Sequence, residues 1–165
     1  MSEQSSSLVE IQDLGSGIVK IMLNDPGHQN TLSEKMIDEL QSVFDAHTSG
    51  TSRVLILAAS GKVFSAGHDL KELKAARSNA DQGKDYFQFI LKKCSALMQS
   101  IVHHPKPVIA QVDGVATAAG CQLALSCDLV YASSSSRFAT PGVNIGLFCS
   151  TPMVALSRNA SVKLS

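Results

Sequence analysis

At 165 residues, with 44% hydrophobic and 17% charged side chains, the chain has the length of one domain and enough apolar mass for a sizeable core. Its 14 basic and 14 acidic residues cancel and are scattered along the chain, so there is no electrostatic footprint for nucleic acid or an anionic membrane. A small-molecule ligand is favoured.

The opening MSEQSSSLVE lacks the Arg-rich amphipathic pattern of a mitochondrial presequence and the apolar centre of a secretory signal, which points to the cytoplasm. Residues 1–7 are expected to be disordered, residues 8–160 to form the domain and residues 161–165 a tail. Leu8 to Ile11 and Ile18 to Leu23 read as a hairpin around DLGSG, halted by NDPGHQN. Thr31, with Glu34 three positions on, predicts a capping box for an amphipathic helix carrying Met36, Leu40, Val43, Phe44 and His47.

RVLILAA is a continuous apolar run of strand length, as expected for a strand covered on both faces, and it feeds the loop SGKVFSAGHD. A short helix from Asp69, the polar stretch ARSNADQGKD and a longer helix follow, the last with Phe87, Ile90, Leu91, Cys94, Leu97, Met98 and Ile101 as its apolar stripe. After HHPKP, VIAQV reads as a second buried strand, DGVATAAG as a second small-residue loop, CQLALS as a helix and CDLVYA as a third strand. Tyr131, Phe138 and Phe148 default to core. This alternation predicts an α/β domain whose loops at strand ends carry the function. No apolar run is long enough to span a bilayer.

Cys94, Cys121, Cys127 and Cys149 sit in apolar or small-residue surroundings without a C-x-x-C pair or a His at ligand spacing, and read as buried, reduced thiols rather than a metal site. His103 and His104 point apart and lack a third ligand, which leaves them as a solvated loop.

Two loops offer free backbone donors. In FSAGHDLKEL, Gly67 permits close backbone approach and Asp69 caps the following helix. In DGVATAAGCQL, Ala116, Ala118, Ala119 and Gly120 keep side chains clear of another helix start. Two such ends converging on one ligand would make an oxyanion hole.

The blocks NTL, VFSAGHDLKEL, HPKPVIAQVDGVATAAGCQLALSCDLVYA and FATPGVNIGLFCSTP, in this order and spacing, resemble the crotonase superfamily of enoyl-CoA hydratases and isomerases. The resemblance runs from about Leu8 to about Arg158. It implies a crotonase-like (ClpP/crotonase) spiral of β-β-α units, C-terminally truncated because only the first two thirds of a family domain is covered.

It also implies an acyl-CoA ligand of fatty acid metabolism, with coenzyme A entering only as part of the substrate. A thioester oxygen would be held by the backbone N–H groups of His68 and Ala119. Ser65, Ala66, Gly67, Asp69, Leu70 and Gly120 would bind the substrate. A trimer-type homo-oligomer belongs to the same expectation, although the C-terminal helices that join family subunits are absent and apolar surface should be left uncovered. A mitochondrial location is the family-based alternative to the cytoplasm.

Where the family's hydratases carry two glutamates, this sequence has Gln122 and Gly142. A carboxamide cannot take a proton near neutral pH and glycine offers no side chain, so ordinary hydration is expected to be very slow. The leading expectation is a lyase-like or related acyl-CoA protein that keeps the oxyanion hole. The alternative is a non-catalytic binding or assembly partner of complete crotonase-type subunits.

Overall fold

A computed structural model describes residues 7–160 of the chain. The expected N-terminal tail up to residue 6 and the tail at 161–165 lie outside the described residues. The first two strands, β1 (Val9–Asp13) and β2 (Ile18–Leu23), pair antiparallel, with Val9 opposite Leu23 and Asp13 opposite Val19. Gly15, Ser16 and Gly17 all take positive φ in the turn between them, which glycine adopts at no steric cost.

β2 then pairs parallel with β3 (Val54–Ala59), β3 with β5 (Val108–Val112) and β5 with β7 (Leu129–Ala132), giving a five-stranded sheet in the order β1-β2-β3-β5-β7. Parallel neighbours need a crossover. Helix α1 (Glu34–Ala46) supplies it between β2 and β3, α2 (Leu70–Ala76) and α3 (Lys84–Val102) between β3 and β5, and α4 (Ala119–Leu125) between β5 and β7.

A second sheet, entirely parallel, comprises β4 (Val63–Ser65), β6 (Val115–Thr117) and β8 (Arg137–Ala139), in the order β4-β6-β8. The two stretches expected to be loops, SGKVFSAGHD and DGVATAAG, therefore each contain a strand of three residues. Such strands are too short to show a period of two. The chain lays one strand in each sheet and then turns into a helix, unit after unit. After β8 a 3-10 turn (Pro141–Ile145) leads to α5 (Ser150–Asn159).

The core lies between the large sheet and α1 and α3. Ile21, Leu23, Leu55, Leu57, Val108 and Ala110 from the sheet meet Met36, Ile37, Leu40, Phe44, Leu97 and Ile101 from the helices, all fully buried or nearly so. Side chains on β2 alternate between the core and a partly covered face, the signature of a strand with one face sealed.

Three expectations fail for local reasons. Ser33, rather than Thr31, caps α1, accepting from the Met36 N–H at 3.2 Å, because the chain is still pinned in an extended bridge at Leu32. Leu91 stands exposed on α3, off the side that meets the core. Tyr131 and Phe138 are exposed as well, since β7 and β8 sit at the edges of their sheets, and Phe148 is exposed in the stretch between the 3-10 turn and α5.

Candidate functional site

The first loop starts where β4 ends. Ser65 is fully buried and its Oγ accepts from the Gly67 N–H at 3.3 Å. The segment 29–32 fixes the loop from one side: Ala66 N–H donates to the Gln29 carbonyl at 3.1 Å and Leu32 N–H to the Gly67 carbonyl at 2.8 Å. That segment is itself anchored by Asn30, fully buried with φ of 48°. Its amide donates to the Ser60 and Val63 carbonyls at 2.9 and 2.7 Å, and its Oδ1 accepts from the Asp25 N–H at 2.8 Å. Asn30 was not singled out from the sequence; its signal was its place at the head of the NTL block. Asp69 caps α2 as expected, accepting from the Lys71 N–H at 2.7 Å.

The second loop follows β6. Ala118 has φ of 51° and ψ of −124°, a conformation that costs an L-residue about 1–3 kcal/mol and concentrates at functional sites. Its N–H is tied to the Ala139 carbonyl at 2.9 Å. α4 then begins at Ala119.

The fold presses the two loops together. A methyl group on Gly67 (φ +87°) would meet the Ala119 nitrogen at 3.0 Å, the Ala118 Cβ at 3.1 Å and the Thr117 carbonyl oxygen at 3.1 Å. One on Gly120 would meet the Cβ and carbonyl carbon of Ser65 at 2.7 Å each. Only glycine fits at either position. Among the described residues no acceptor takes the His68 N–H or the Ala119 N–H. Ser65, Gly67 and Gly120, expected to bind the substrate, are buried where the two turns meet.

Ala66, His68, Asp69 and Leu70 do line a cavity, of about 330 Å³, together with Gln29 and Thr31. Two of its lining residues also carry a polar atom buried without a hydrogen-bond partner, His68 Nδ1 and Thr31 Oγ1. Burial holds the His68 imidazole below its usual pKa, against a smaller upward pull from the Leu32 main chain.

Gln122 faces elsewhere. Its Oε1 accepts from the Thr151 hydroxyl at 2.9 Å, and it lines a second cavity, of about 410 Å³, among Met98, Val102, Leu125 and Val154 of α3, α4 and α5. Gly142 lies buried in the 3-10 turn, under Cys149 and the Leu147 carbonyl.

Cys94, Cys121 and Cys127 are buried and all four thiols are free. Burial pushes the Cys94 and Cys121 thiols up to about 11 and Cys127 higher still, which makes them packing groups rather than nucleophiles. Cys149 is only half-buried, because the turn that carries it lies at the surface. Among the described residues no three His, Cys, Asp or Glu side chains gather as metal ligands.

Residues 13–160 match the enoyl-CoA hydratase/isomerase family. The chain belongs to that family. It is 50% identical over 150 residues to the human "Enoyl-CoA hydratase domain-containing protein 3, mitochondrial", covering 90% of this chain and 48% of that protein. The crystal structure of the human domain-containing protein 3 superposes with a TM-score of 0.86 at 49% identity, over 95% of this chain and 60% of that one. An enoyl-CoA hydratase from Mycobacterium smegmatis gives 0.88 at 44% identity, over 96% and 60%.

This family member thus spans about half the length of the curated relatives it matches, and its two-sheet β-β-α spiral is the crotonase-like fold. The cytoplasmic expectation finds no support in these relatives, because the name of the human one places that protein in mitochondria. No described helix is long and apolar enough to cross a membrane.

Proposed function

We propose that the chain binds acyl-CoA thioesters and stabilises their enolates through two backbone donors, the N–H groups of His68 and Ala119. The observation that carries this reading is the Gly67–Ala119 contact, which sets side by side two turns whose amides have no acceptor of their own among the described residues. Each such donor typically lowers a barrier by about 2.7 to 4 kcal/mol when charge develops on the bound oxygen. Coenzyme A enters as part of the substrate, and the relatives' names support a mitochondrial setting.

Gln122 can orient a group but cannot act as a base, and Gly142 supplies nothing beyond its backbone. General acid and base groups typically contribute about 10²- to 10⁴-fold each, so hydration of an enoyl-CoA falls far below that of a hydratase. The site suits reactions whose proton comes from substrate or solvent, such as decarboxylation of an acyl-CoA.

Calorimetric titration with butyryl-CoA, followed by an assay of crotonyl-CoA hydration, tests both halves. Micromolar-range binding with negligible hydration is expected. Fast hydration would refute the catalytic half, and absence of binding would refute the whole.

The exposed Leu129, Val130, Tyr131, Phe138, Leu147 and Phe148 favour a second reading, in which this surface joins complete subunits of the family. Light-scattering mass measurement with and without such a subunit decides it, and a chain that stays unbound counts against it.

A further inference from the structure

The enolate-stabilising role needs the His68 N–H to hold one direction, yet the helix that follows it has little apolar anchorage. Of the residues of α2 only Ala76 is buried, and Leu70 is 61% exposed. Upstream of His68 the donor turn is fastened by main-chain bonds, from Ala66 to Gln29 and from Leu32 to Gly67. Downstream of His68 the fastening to the continuation of that same segment comes from one side chain.

That side chain is Glu72, about one helical turn beyond the donor. Its Oε2 accepts from the Glu34 N–H at 3.0 Å, at the first residue of α1, and from the Tyr86 hydroxyl at 3.0 Å, on α3. The Glu34 N–H is a helix-start donor that no intrahelical carbonyl can take, and a carboxylate is favoured at that end of the helix dipole. Met36, Ile37, Leu97 and Ile101 root α1 and α3 in the core, so this carboxylate ties a loosely held helix to two firmly held ones. Burial, and after it the hydrogen bond and charge of Glu72, raise the Tyr86 phenol well above its usual pKa, which keeps it a donor. The neighbouring side chains have other partners: Asp69 caps α2, Ser33 caps α1, and Lys93 joins Glu34 to Asp38.

Resting on the enolate reading above, we infer that Glu72 is a positioning residue: its carboxylate, held by Tyr86, straps α2 to the head of α1 and so sets the direction of the His68 N–H. The donor turn is then pinned to one stretch of chain, residues 29–34, both before and after the amide that meets the thioester oxygen. A misplacement of about 1 Å in such a group can cost about 10²-fold in rate, and residues behind the contacting group are what prevent it.

The test is difference infrared spectroscopy of bound butyryl-CoA carrying carbon-13 at the thioester carbonyl. It is applied to the wild-type chain, Glu72→Ala, Glu72→Gln, Tyr86→Phe and, as a control for lost stability alone, Glu39→Ala. Glu39 accepts from the Ser7 hydroxyl and the Leu8 and Val9 N–H groups at the first strand, away from the donor turn. Donors aimed at the thioester oxygen polarise its carbonyl and lower the stretching frequency, a property of the bound ligand that a change in folding stability does not move.

The wild type should show that lowering. Glu72→Ala should give back roughly half of it or more and bind about 2- to 10-fold more weakly, the range for one lost hydrogen bond. Tyr86→Phe should move the frequency the same way by less. Glu72→Gln, whose amide oxygen can still accept both bonds, should stay near the wild type, and Glu39→Ala should not move it. A wild-type frequency in folded Glu72→Ala overturns the inference and leaves the enolate reading intact. So does a shift in Glu39→Ala or in Glu72→Gln as large as that in Glu72→Ala. Should Glu72→Ala not fold, an unmoved frequency in Tyr86→Phe overturns the inference by itself. A wild type that does not bind butyryl-CoA, or binds it without lowering the frequency, overturns the enolate reading and this inference with it.

Discussion

Gly142 and Cys149 leave no room between them for a side chain. A Cβ at position 142 would stand 2.7 Å from the Cys149 Sγ and 2.8 Å from the Leu147 carbonyl oxygen. The sulfur can rotate away, but the carbonyl is main chain, in a turn closed by the Leu147 N–H donating to the Gly142 carbonyl at 2.8 Å. Placing the second hydratase glutamate here therefore forces the turn open. Gly142→Glu is expected to destabilise the chain by about 1–3 kcal/mol through overpacking. A thermal melt of Gly142→Glu unchanged from the wild type would show that the turn yields freely.

Gln122→Glu behaves differently, since Gln122 already faces a cavity and the exchange changes little volume. Its Thr151 contact survives as a hydroxyl-to-carboxylate bond, so the melting temperature should stay within a few degrees. One restored carboxylate should raise crotonyl-CoA hydration by about 10²-fold, the low end of the range for one acid–base group, as read in a direct absorbance assay.

Gly67→Ala strikes the junction of the two loops. The added methyl sits at positive φ and 3.0 Å from the Ala119 nitrogen, and the combined strain is expected to cost about 2–3 kcal/mol. The amides of His68 and Ala119 move apart, so butyryl-CoA binding should weaken more than tenfold. Binding retained at wild-type strength in a folded Gly67→Ala chain would separate that contact from function.

Asn30→Leu removes three hydrogen bonds from a fully buried side chain. It leaves the Ser60 and Val63 carbonyls without these donors, and Leu tolerates φ of 48° poorly. A loss of about 3–5 kcal/mol in urea unfolding is expected, within the range for broken buried networks.

His68 also makes stability depend on pH. Its folded pKa lies below the ordinary value of 6.5, so under mildly acidic conditions the unfolded chain binds a proton that the folded chain does not. The contribution is complete above 6.5 and is lost progressively as pH falls below that value. His68→Phe should flatten this part of the profile. The buried Cys94 and Cys121 act at the opposite end: their thiols are raised to about 11 from 9.0, and stability falls as pH rises above 9.

By itself the amino-acid sequence determined the elements long enough to repeat a period: the hairpin, the two long amphipathic helices and the apolar strands of the large sheet. It also determined which small residues stand before each short helix, and that positions 122 and 142 carry no carboxylate. All of these are set by side-chain identity and local spacing.

The tertiary structure alone decided what lies next to what. The three-residue strands β4, β6 and β8 exist because they pair with one another, 52 and 22 residues apart at Val63–Val115 and Val115–Arg137. Leu91 and Tyr131 are apolar yet exposed because no described element covers them. Whether Gly67 touches Ala119, whether Gln122 looks toward Thr151, and whether the His68 Nδ1 is buried without a hydrogen-bond partner depend on packing between segments dozens of residues apart. No local pattern encodes such distances, because the energy that fixes them appears only once the chain has closed.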